Sequence, residues 1–254
     1  MSVVEELSTL SKLTGERQLV VLTGATGGMG QVIAANLAAD FDVLALGRDH
    51  AKLAELAGLD GVFPLVWDVL DYSQLPALVG SLPRIDVLIH AAAVAQRYSV
   101  AEASVENWRE HLELNVIAPA ELTRATLPAL RVARGQVVFI NSGAGFNAGA
   151  GHSVYSASKF ALRSLADSLR LEEEAHGVRV ASVHPGQTDT PMLREDHRVA
   201  GAAYEPQRYI RPESVAAAVR TVITATGDTQ ITTVSVRPRA ELGQPHRKTK
   251  EDRS

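Results

Sequence analysis

A tyrosine and a lysine stand four residues apart in the segment VYSASKFALRSLADSLRLE, at Tyr155 and Lys159. On a helix this spacing places both side chains on one face. A free phenol has a pKa near 10, and a neighbouring ammonium lowers that pKa because it stabilises the phenolate; a lowering of ~3 units needs about 4 kcal/mol. Tyr155 could then exchange a proton with a substrate oxygen. The same pair is common on exposed helices without any chemical role, so this interpretation needs support elsewhere in the chain.

A serine follows the short apolar run Val137–Asn141, in the segment VVFINSGAG. If this run is a strand of a parallel sheet, Ser142 lies at the carboxyl edge, where open α/β folds bind their ligands. Its hydroxyl could hold the same substrate oxygen, or it could belong to a turn serine that bonds its own backbone. A nucleophile elbow is excluded, because that motif needs glycine two residues before the serine and this chain has Ile140 there.

Glycines crowd the segment VLTGATGGMGQVIAANLA, between a predicted strand at Leu19–Thr23 and a predicted helix at Gln31–Ala39. Glycine permits positive φ and leaves no Cβ between the backbone and a ligand. The start of the helix offers free N–H groups and the positive end of its dipole. The turn therefore predicts a pyrophosphate site, although tight helix packing alone could also need glycines. The expected cofactor contacts here are Gly24, Thr26, Gly27, Gly28, Met29 and Gly30.

Two further positions bear on which dinucleotide binds. A site that selects an unphosphorylated ribose usually has an acid about 20 residues after the glycines. This chain has Gly47 and then Arg48, and an arginine can pair with a 2′-phosphate. We therefore predict NADP rather than NAD, with Asp49 as a nearby charge of the wrong sign. Asp68 ends the next apolar run and could either accept a hydrogen bond from adenine or cap a helix near Tyr72.

Apolar runs and helical segments alternate along the chain. Seven runs suit strands covered on both faces, because apolar residues succeed one another rather than alternate; they are Leu19–Thr23, Val43–Leu46, Val62–Trp67, Val87–Ala91, Val137–Asn141, Val178–Val183 and Ile231–Val236. Helical spacing is found in Gln31–Ala39, Ser104–Arg131, Tyr155–His176 and Pro212–Ala225. The alternation predicts an α/β fold, a doubly wound (Rossmann) parallel sheet of about seven strands with helices on both faces. We expect a single domain over 18–238, a flexible leader over 1–17 and a polar, disordered tail over 239–254.

Bulk composition narrows the function classes. The chain has 254 residues and a net charge of −4, which gives no reason to expect nucleic acid or an anionic membrane as a partner. It has no cysteine, so disulfides and thiolate metal sites are excluded, and no metal site is predicted. No apolar run is long enough to span a membrane, and the first residues do not resemble a secretion signal. We expect a cytoplasmic protein.

These motifs and their order resemble the short-chain dehydrogenase/reductase family in its compact, single-domain form. TGATGGMG is similar to the family's cofactor turn, and Asp68-Val69 is similar to its adenine site. The segment HPGQTDTPM resembles the nicotinamide-side loop through Pro185, Gly186, Thr188 and Thr190. The catalytic positions that the resemblance implies are Asn115, Ser142, Tyr155 and Lys159. The match covers residues 19–238, and the serine and tyrosine are thirteen residues apart, as in the family.

One motif departs from the family pattern. After its fourth strand the family often has Asn-Asn-Ala-Gly, whereas this chain has His90, Ala91, Ala92 and Ala93. Ala91 lacks the side-chain amide of the family's asparagine, which normally ties neighbouring strands together. Ala93 stands where the family has glycine and adds a methyl group near the cofactor. Cofactor binding is expected to be perturbed without the loss of a catalytic group, and the three alanines remain expected contacts. His90 is interpreted as a packed strand histidine rather than as an acid or base.

The resemblance implies hydride transfer between NADP(H) and a carbonyl or secondary alcohol. Tyr155 would be the general acid/base, and Ser142 would steady the substrate oxygen. Lys159 would lower the tyrosine pKa and hold the nicotinamide ribose, while Asn115 would fix a water that connects Lys159 to solvent. Two other functions stay open: a non-catalytic NAD(P)-sensing protein of the same fold, and epimerase or dehydratase chemistry.

The resemblance also bears on substrate cover and assembly. The segment Pro191–Ile210 is expected to cover a small-molecule substrate. The side chains that could line an apolar pocket there, or simply anchor the loop, are Met192, Leu193, Tyr204 and Tyr209. A homodimer or homotetramer is expected, paired through the helices predicted in Ser104–Arg131 and Tyr155–His176.

Overall fold

The computed structural model describes residues 16–199 and 201–240. Most of the predicted leader and most of the predicted tail therefore lie outside the described residues. At the start of the described chain, Arg17 donates a hydrogen bond to the carbonyl of Ala38 and lies 3.7 Å from a carboxylate oxygen of Asp42. These contacts fix the entry of the chain into the sheet.

Seven strands form one parallel sheet in the order β3-β2-β1-β4-β5-β6-β7. The strands are β1 (Leu19–Thr23), β2 (Asp42–Gly47), β3 (Val62–Val66), β4 (Val87–His90), β5 (Gln136–Ile140), β6 (Arg179–Pro185) and β7 (Thr233–Val236). The strand order changes direction between β1 and β4, and ligands of such sheets bind at the carboxyl ends of the strands beside this point. The predicted doubly wound α/β fold is confirmed.

Helices cover both faces of the sheet. They are α1 (Gly28–Leu37), α2 (His50–Leu56), α3 (Leu75–Gly80), α4 (Val105–Leu112), α5 (Ala118–Ala133), α6 (Ser153–Glu172), α7 (Pro191–Val199) and α8 (Pro212–Ile223). One apolar core lies between the sheet and α1 and α8, and a second lies between the opposite face and α3, α5 and α6. Within the described ranges, no helix is both long and apolar enough to cross a membrane.

The two cores explain why the strands read as continuous apolar runs. In β1, Val20 and Leu22 point into one core, while Leu19 and Val21 point into the other. Successive side chains of a strand point to opposite faces, so a strand buried on both faces needs an apolar residue at every position. The sheet is thus positioned by burial on both sides, and its carboxyl edge is left for chemistry.

The helices agree less closely with the sequence prediction. The single helix predicted over Ser104–Arg131 is divided into α4 and α5 by a π-helical turn at Glu113–Ile117. Two helices, α2 and α7, were not predicted, while the helix expected near Tyr72 is a 3₁₀ turn at Tyr72–Gln74 followed by α3. α2 is short, and α7 has no buried residue among those described, so neither carries a strong apolar stripe.

Candidate active site

The glycine turn after β1 is built so that backbone approaches backbone. Gly24 has φ +66°, and a Cβ there would lie 2.5 Å from the amide nitrogen of Ala92. A Cβ on Gly30 would lie 2.1 Å from the carbonyl oxygen of Gly24. Gly27 stands at the N-cap of α1 and offers no side chain to cap it. The first N–H groups of α1 therefore lie at the carboxyl edge of the sheet without a capping side chain from Gly27.

Thr23 ties this turn to the next strand. Its hydroxyl accepts hydrogen bonds from the amide nitrogens of Ala91 and Ala92, at 3.2 and 3.4 Å, and donates to the carbonyl of Ile89. The tie that the sequence analysis found missing from the side chain of Ala91 is thus made from the β1 side. Thr23 was recognised in the sequence only as part of the glycine motif, because a single threonine in a strand gives no signal of such bonds.

A groove of about 260 Å³ runs along the carboxyl edge of β1, β2 and β4. The predicted cofactor contacts that line it are Gly24, Thr26, Gly27, Gly28, Met29, Gly30, Arg48, Asp68, Val69, Ala91, Ala92, Ala93, Tyr155, Lys159 and Thr190. Three other predicted contacts, Pro185, Gly186 and Thr188, line a neighbouring cavity instead. Residues that the sequence analysis did not name also line the groove, among them Trp67, Leu114 and Asn141. These are buried strand ends or helix residues whose composition resembles that of ordinary core.

The end of the groove at β2 carries an exposed arginine. Gly47 has no room for a side chain, since a Cβ there would lie 2.6 Å from the methyl group of Thr26. An acidic side chain at this position would displace Thr26. Arg48 extends beside it, with a terminal nitrogen 3.6 Å from Asp68. Asp49 caps α2 by accepting from the amides of Ala51 and Lys52, and these bonds lower its pKa.

Asp68 is not a helix cap. One carboxylate oxygen accepts a hydrogen bond from the amide of Leu70 at 3.0 Å, and the other faces Arg48. The single turn of 3₁₀ helix at Tyr72–Gln74 is capped by Asp71 instead. Of the two interpretations of Asp68, helix capping is therefore wrong. The structure places Asp68 in the wall of the groove.

Tyr155 lies where the groove meets a second cavity. The residue lines both spaces, Ser142 lines only the second, and Lys159 lines only the groove. The ammonium of Lys159 is buried, donates a hydrogen bond to the carbonyl of Ile140 at 3.1 Å, and lies 5.9 Å from the centroid of the Tyr155 ring. The three side chains that the sequence analysis placed together are thus brought together, with the lysine behind the phenol.

The pKa of Tyr155 differs from what the sequence predicts. Burial raises the pKa of Tyr155 above its usual value; the hydrogen bond from Ser142 lowers it, and the carboxylate of Asp196 raises it. Burial also lowers the pKa of Lys159 to about 8. In the chain alone the predicted lowering of the Tyr155 pKa is therefore wrong, because desolvation outweighs an ammonium that is directed at a backbone carbonyl.

Ser142 is held from several directions. Its amide donates to the side chain of Asn141, and its carbonyl lies 2.9 Å from Nδ1 of the buried His184. The side-chain amide of Asn141 in turn donates a hydrogen bond to the carbonyl of Lys159, and this bond joins the end of β5 to α6. Ser142 Oγ also accepts from the amide of Ala144 at 3.1 Å, so the turn-serine interpretation is correct as well. The hydroxyl of Ser142 also lowers the pKa of Tyr155.

Asn115 lies in the π-helical turn between α4 and α5. Its side chain accepts from the amide of Val94 and donates to the Val94 carbonyl, both at 2.9 Å, and it also donates to Ser158 Oγ at 3.0 Å. Asn115 thus connects the loop after β4 to α6. π-turns of this kind often occur at functional sites. Asn115 lines neither the groove nor a neighbouring cavity in the described part of the chain.

His90 is a packed histidine, as the sequence analysis interpreted it. The ring is buried, stacks on Phe139 with centroids 5.0 Å apart, and shares a hydrogen bond of 2.8 Å with the hydroxyl of Thr123. Burial lowers its pKa to about 3, so the ring is neutral near pH 7.

The second cavity has a volume of about 320 Å³ and lies under α7. Met192 and Leu193 line it as predicted. Tyr204 and Tyr209 do not: the hydroxyl of Tyr204 donates to Asp189 at 2.6 Å, and that of Tyr209 lies 3.1 Å from a nitrogen of His197. The two tyrosines anchor the loop, and the cavity combines the apolar side chains of Met192 and Leu193 with the charged side chains of Arg97 and Asp196.

Comparison with known proteins decides the family. The short chain dehydrogenase family model matches residues 18–199. The chain belongs to the short-chain dehydrogenase/reductase family. It is similar to the NADP-dependent 3-hydroxy acid dehydrogenase YdfG of Salmonella typhi, with 32% identity over 87% of this chain and 94% of the relative.

Solved structures of short-chain dehydrogenase/reductases agree with this assignment. A family member from Burkholderia thailandensis is 31% identical, with a TM-score of 0.79 over 87% of this chain and 91% of that one. The closed form of a serine dehydrogenase complexed with NADP+ is 28% identical, with a TM-score of 0.78 over 86% of this chain and 94% of that one. The chain is accordingly an NAD(P)-dependent short-chain dehydrogenase/reductase.

Proposed function

We propose that this protein transfers a hydride between NADP(H) and a carbonyl or secondary alcohol, with Tyr155 as the general acid/base. One observation supports this most strongly. The phenol lies on the border between a long groove and a separate cavity, with Ser142 on the cavity side and Lys159 on the groove side. A dinucleotide in the groove and a substrate in the cavity would both reach Tyr155.

The residues present fit a dinucleotide. A Cβ on Gly24 or Gly30 would collide with backbone, so the turn keeps the N-terminus of α1 accessible to a pyrophosphate. When bound, the nicotinamide supplies or accepts the hydride at C4 and, when oxidised, carries a positive charge. Arg48 supports the phosphorylated form because its guanidinium lies at the β2 end of the groove, where Asp49 is engaged in capping α2. The names of the YdfG relative and the serine dehydrogenase complex also specify NADP.

The chain's own residues supply the proton and hold the substrate. In reduction, the Tyr155 hydroxyl donates its proton to the carbonyl oxygen of the substrate, which becomes the alcohol. Ser142 donates a hydrogen bond to the same oxygen. Lys159 stabilises the resulting phenolate, and Asn115 fixes the loop after β4 and α6 in register around it. In oxidation the phenolate takes the proton back.

The hydrogen bonds that hold the backbone of Ser142 in place support these roles. The serine amide and carbonyl are both engaged, so its hydroxyl has a defined position relative to the phenol. Preorganised donors of this kind stabilise a developing charge without reorganisation. The proposal also includes that the protein forms a homodimer or homotetramer and acts in the cytoplasm.

Replacement of Tyr155 by Phe tests the proposal. We expect Tyr155→Phe to abolish NADPH oxidation with ketones and aldehydes, by at least about a thousandfold, while NADPH affinity measured by fluorescence stays within about twofold. Tyr98→Phe is the control, because Tyr98 lines neither cavity. Turnover that survives in Tyr155→Phe would remove the residue from the mechanism. NADPH binding without turnover in the unaltered protein would favour a nucleotide-sensing protein.

A further inference from the structure

An arginine and an aspartate meet across the mouth of the second cavity. Arg97 follows β4, Asp196 lies on α7, and both line the cavity. Nε of Arg97 donates to a carboxylate oxygen of Asp196 at 3.2 Å. The two residues are 99 positions apart in the chain, so neither was marked by the sequence.

The contact uses only one edge of the guanidinium. Among the described residues, no acceptor lies within hydrogen-bond distance of either terminal nitrogen of Arg97. Arginine binds planar oxyanions through two parallel N–H donors, and two neighbouring donors of Arg97 remain available. Asp196 occupies the inner nitrogen and thereby limits the orientations of the plane.

Other side chains in the cavity favour a negatively charged ligand. Arg97 and Arg237 carry positive charge along its wall, and Asp196 carries negative charge. His152 also lines the cavity; burial, followed by the field of Arg97, lowers its pKa, so its ring is neutral near pH 7 and can hydrogen-bond an oxyanion or a hydroxyl. The volume of about 320 Å³ is at the small end of the range for ligand sites.

Resting on the proposed function, we propose that the substrate is a small hydroxy acid or the corresponding keto acid, whose carboxylate is bound by the terminal nitrogens of Arg97 while its carbonyl or hydroxyl oxygen meets Ser142 and Tyr155. Arg97 would recognise a pair of oxygens on one group of the ligand, and a phosphate ester presents such a pair as well as a carboxylate does. Arg97, Arg237 and Asp196 together carry a net charge of +1, which the single charge of a carboxylate balances, whereas a phosphate ester is largely a dianion near pH 7 and would leave one negative charge unbalanced.

A matched pair of substrates tests this proposal. Reduction of acetoacetate and of its neutral methyl ester by NADPH is compared, with dihydroxyacetone phosphate as the phosphate arm. We expect the unaltered enzyme to prefer acetoacetate over the ester by about tenfold or more in kcat/KM. Arg97→Gln should bring the two within about threefold of each other by raising KM for acetoacetate, and leave the ester within about twofold. Arg97→Lys should keep part of the preference, since it retains the charge and loses the fork.

Arg198→Gln is the matched control, because Arg198 lies on the same helix α7, pairs with Glu195 and does not line the cavity. It should keep the preference for acetoacetate. A preference for the ester, an acid preference that survives in Arg97→Gln, or a higher kcat/KM for dihydroxyacetone phosphate would overturn the proposal.

Direct binding separates this proposal from the proposed function. Calorimetric titration of acetoacetate into the enzyme with NADP⁺ should show binding that Arg97→Gln weakens about tenfold or more. If ketones are reduced without any acid preference, the carboxylate assignment fails and the proposed function stands. If no carbonyl compound is reduced, the proposed function fails, and the titration alone decides whether Arg97 binds a carboxylate.

Discussion

Tyr155 is a half-buried phenol with opposing influences on its pKa. Desolvation raises its pKa, the hydroxyl of Ser142 lowers it, and Asp196 raises it. Lys159 lies behind the ring with its own pKa lowered by burial. A weakly acidic phenol is a suitable proton donor for carbonyl reduction, while alcohol oxidation needs the phenolate.

Asp196→Asn tests the charge that faces the phenol. Removal of the carboxylate takes away an effect that raises the Tyr155 pKa, so that pKa should fall. The kcat/KM for oxidation of a neutral alcohol should therefore rise at lower pH than in the unaltered enzyme, as a pH profile from 6 to 10 would show. Glu195→Gln, one position earlier on α7 and paired with Arg198, should leave the profile in place. A pH profile of Asp196→Asn that is unchanged or shifted to higher pH would contradict the effect of Asp196 on the Tyr155 pKa.

Arg48→Gln tests the choice of cofactor. The guanidinium lies at the end of the groove, so its loss should weaken NADPH binding by about tenfold to a hundredfold and leave NADH within about twofold. Fluorescence titration with both cofactors measures this. Lys52→Gln removes a nearby charge that pairs with Asp49 outside the groove and serves as the control. Equal losses for NADPH and NADH would place Arg48 away from the 2′-phosphate.

Individual site residues were predictable where one residue type was chemically necessary. The backbone clashes at Gly24 and Gly30 explain why the glycine motif was recognisable before the structure was known. Arg97 and Asp196 gave no such signal, because their contact depends on a loop and a helix that are distant in sequence. For Tyr204 the sequence left open whether it lines the pocket or anchors the loop, and the hydrogen bond from its hydroxyl to Asp189 supports the second.

At the scale of elements, strands were easier to predict than helices. The central strands are buried on both faces, so their apolar runs stand out from their surroundings, whereas β7 at the edge of the sheet is partly exposed. The π-turn at Glu113–Ile117 has no sequence period of its own, and it was predicted as part of one continuous helix. The structure shows that it carries Asn115 into the network of Val94 and Ser158.

The junction between α5 and α6 depends on a buried charge. Glu173, just after α6, has a side chain only 4% exposed and receives two hydrogen bonds from Arg131, at 2.8 and 2.6 Å. We expect Arg131→Ala to lower the free energy of unfolding by about 3 kcal/mol, because it leaves the carboxylate buried without a partner. Urea unfolding followed by circular dichroism measures the change.

Arg124→Ala provides the comparison on the same helix. Arg124 pairs with Glu121 at the surface, with the arginine side chain 68% exposed, so its loss should cost less than about 1 kcal/mol. Equal losses for the two variants would contradict the importance of burial at Glu173.

For the whole molecule, the two cores place both cavities on the carboxyl edge of one sheet. The groove crosses the point where the strand order reverses, and the second cavity lies beside it under α7. The fold class was therefore predictable from the alternation of strands and helices. The charged lining of the second cavity was not, because α1, α6, α7 and the segments after β4, β5, β6 and β7 all contribute to it.

Assembly is the prediction that belongs to this scale. Exposed apolar side chains on and beside the long helices are Ile117, Val132, Phe160 and Leu171. We expect light scattering to give a mass two or four times the 27.1 kDa of one chain. Phe160→Glu combined with Leu171→Glu should reduce that mass, whereas Leu59→Glu, an exposed leucine away from these helices, should not. A single-chain mass for the unaltered protein would contradict the expected pairing.

The most direct test of the central claim follows a labelled hydrogen from cofactor to product. Two samples of NADPH, each deuterated at one of the two C4 positions, are used to reduce the best carbonyl substrate, and the alcohol is analysed by mass spectrometry. We expect deuterium at the carbinol carbon from one sample and not from the other, since the groove presents one face of the ring. NADPH consumption that leaves no deuterium in the alcohol from either sample would contradict hydride transfer to the substrate.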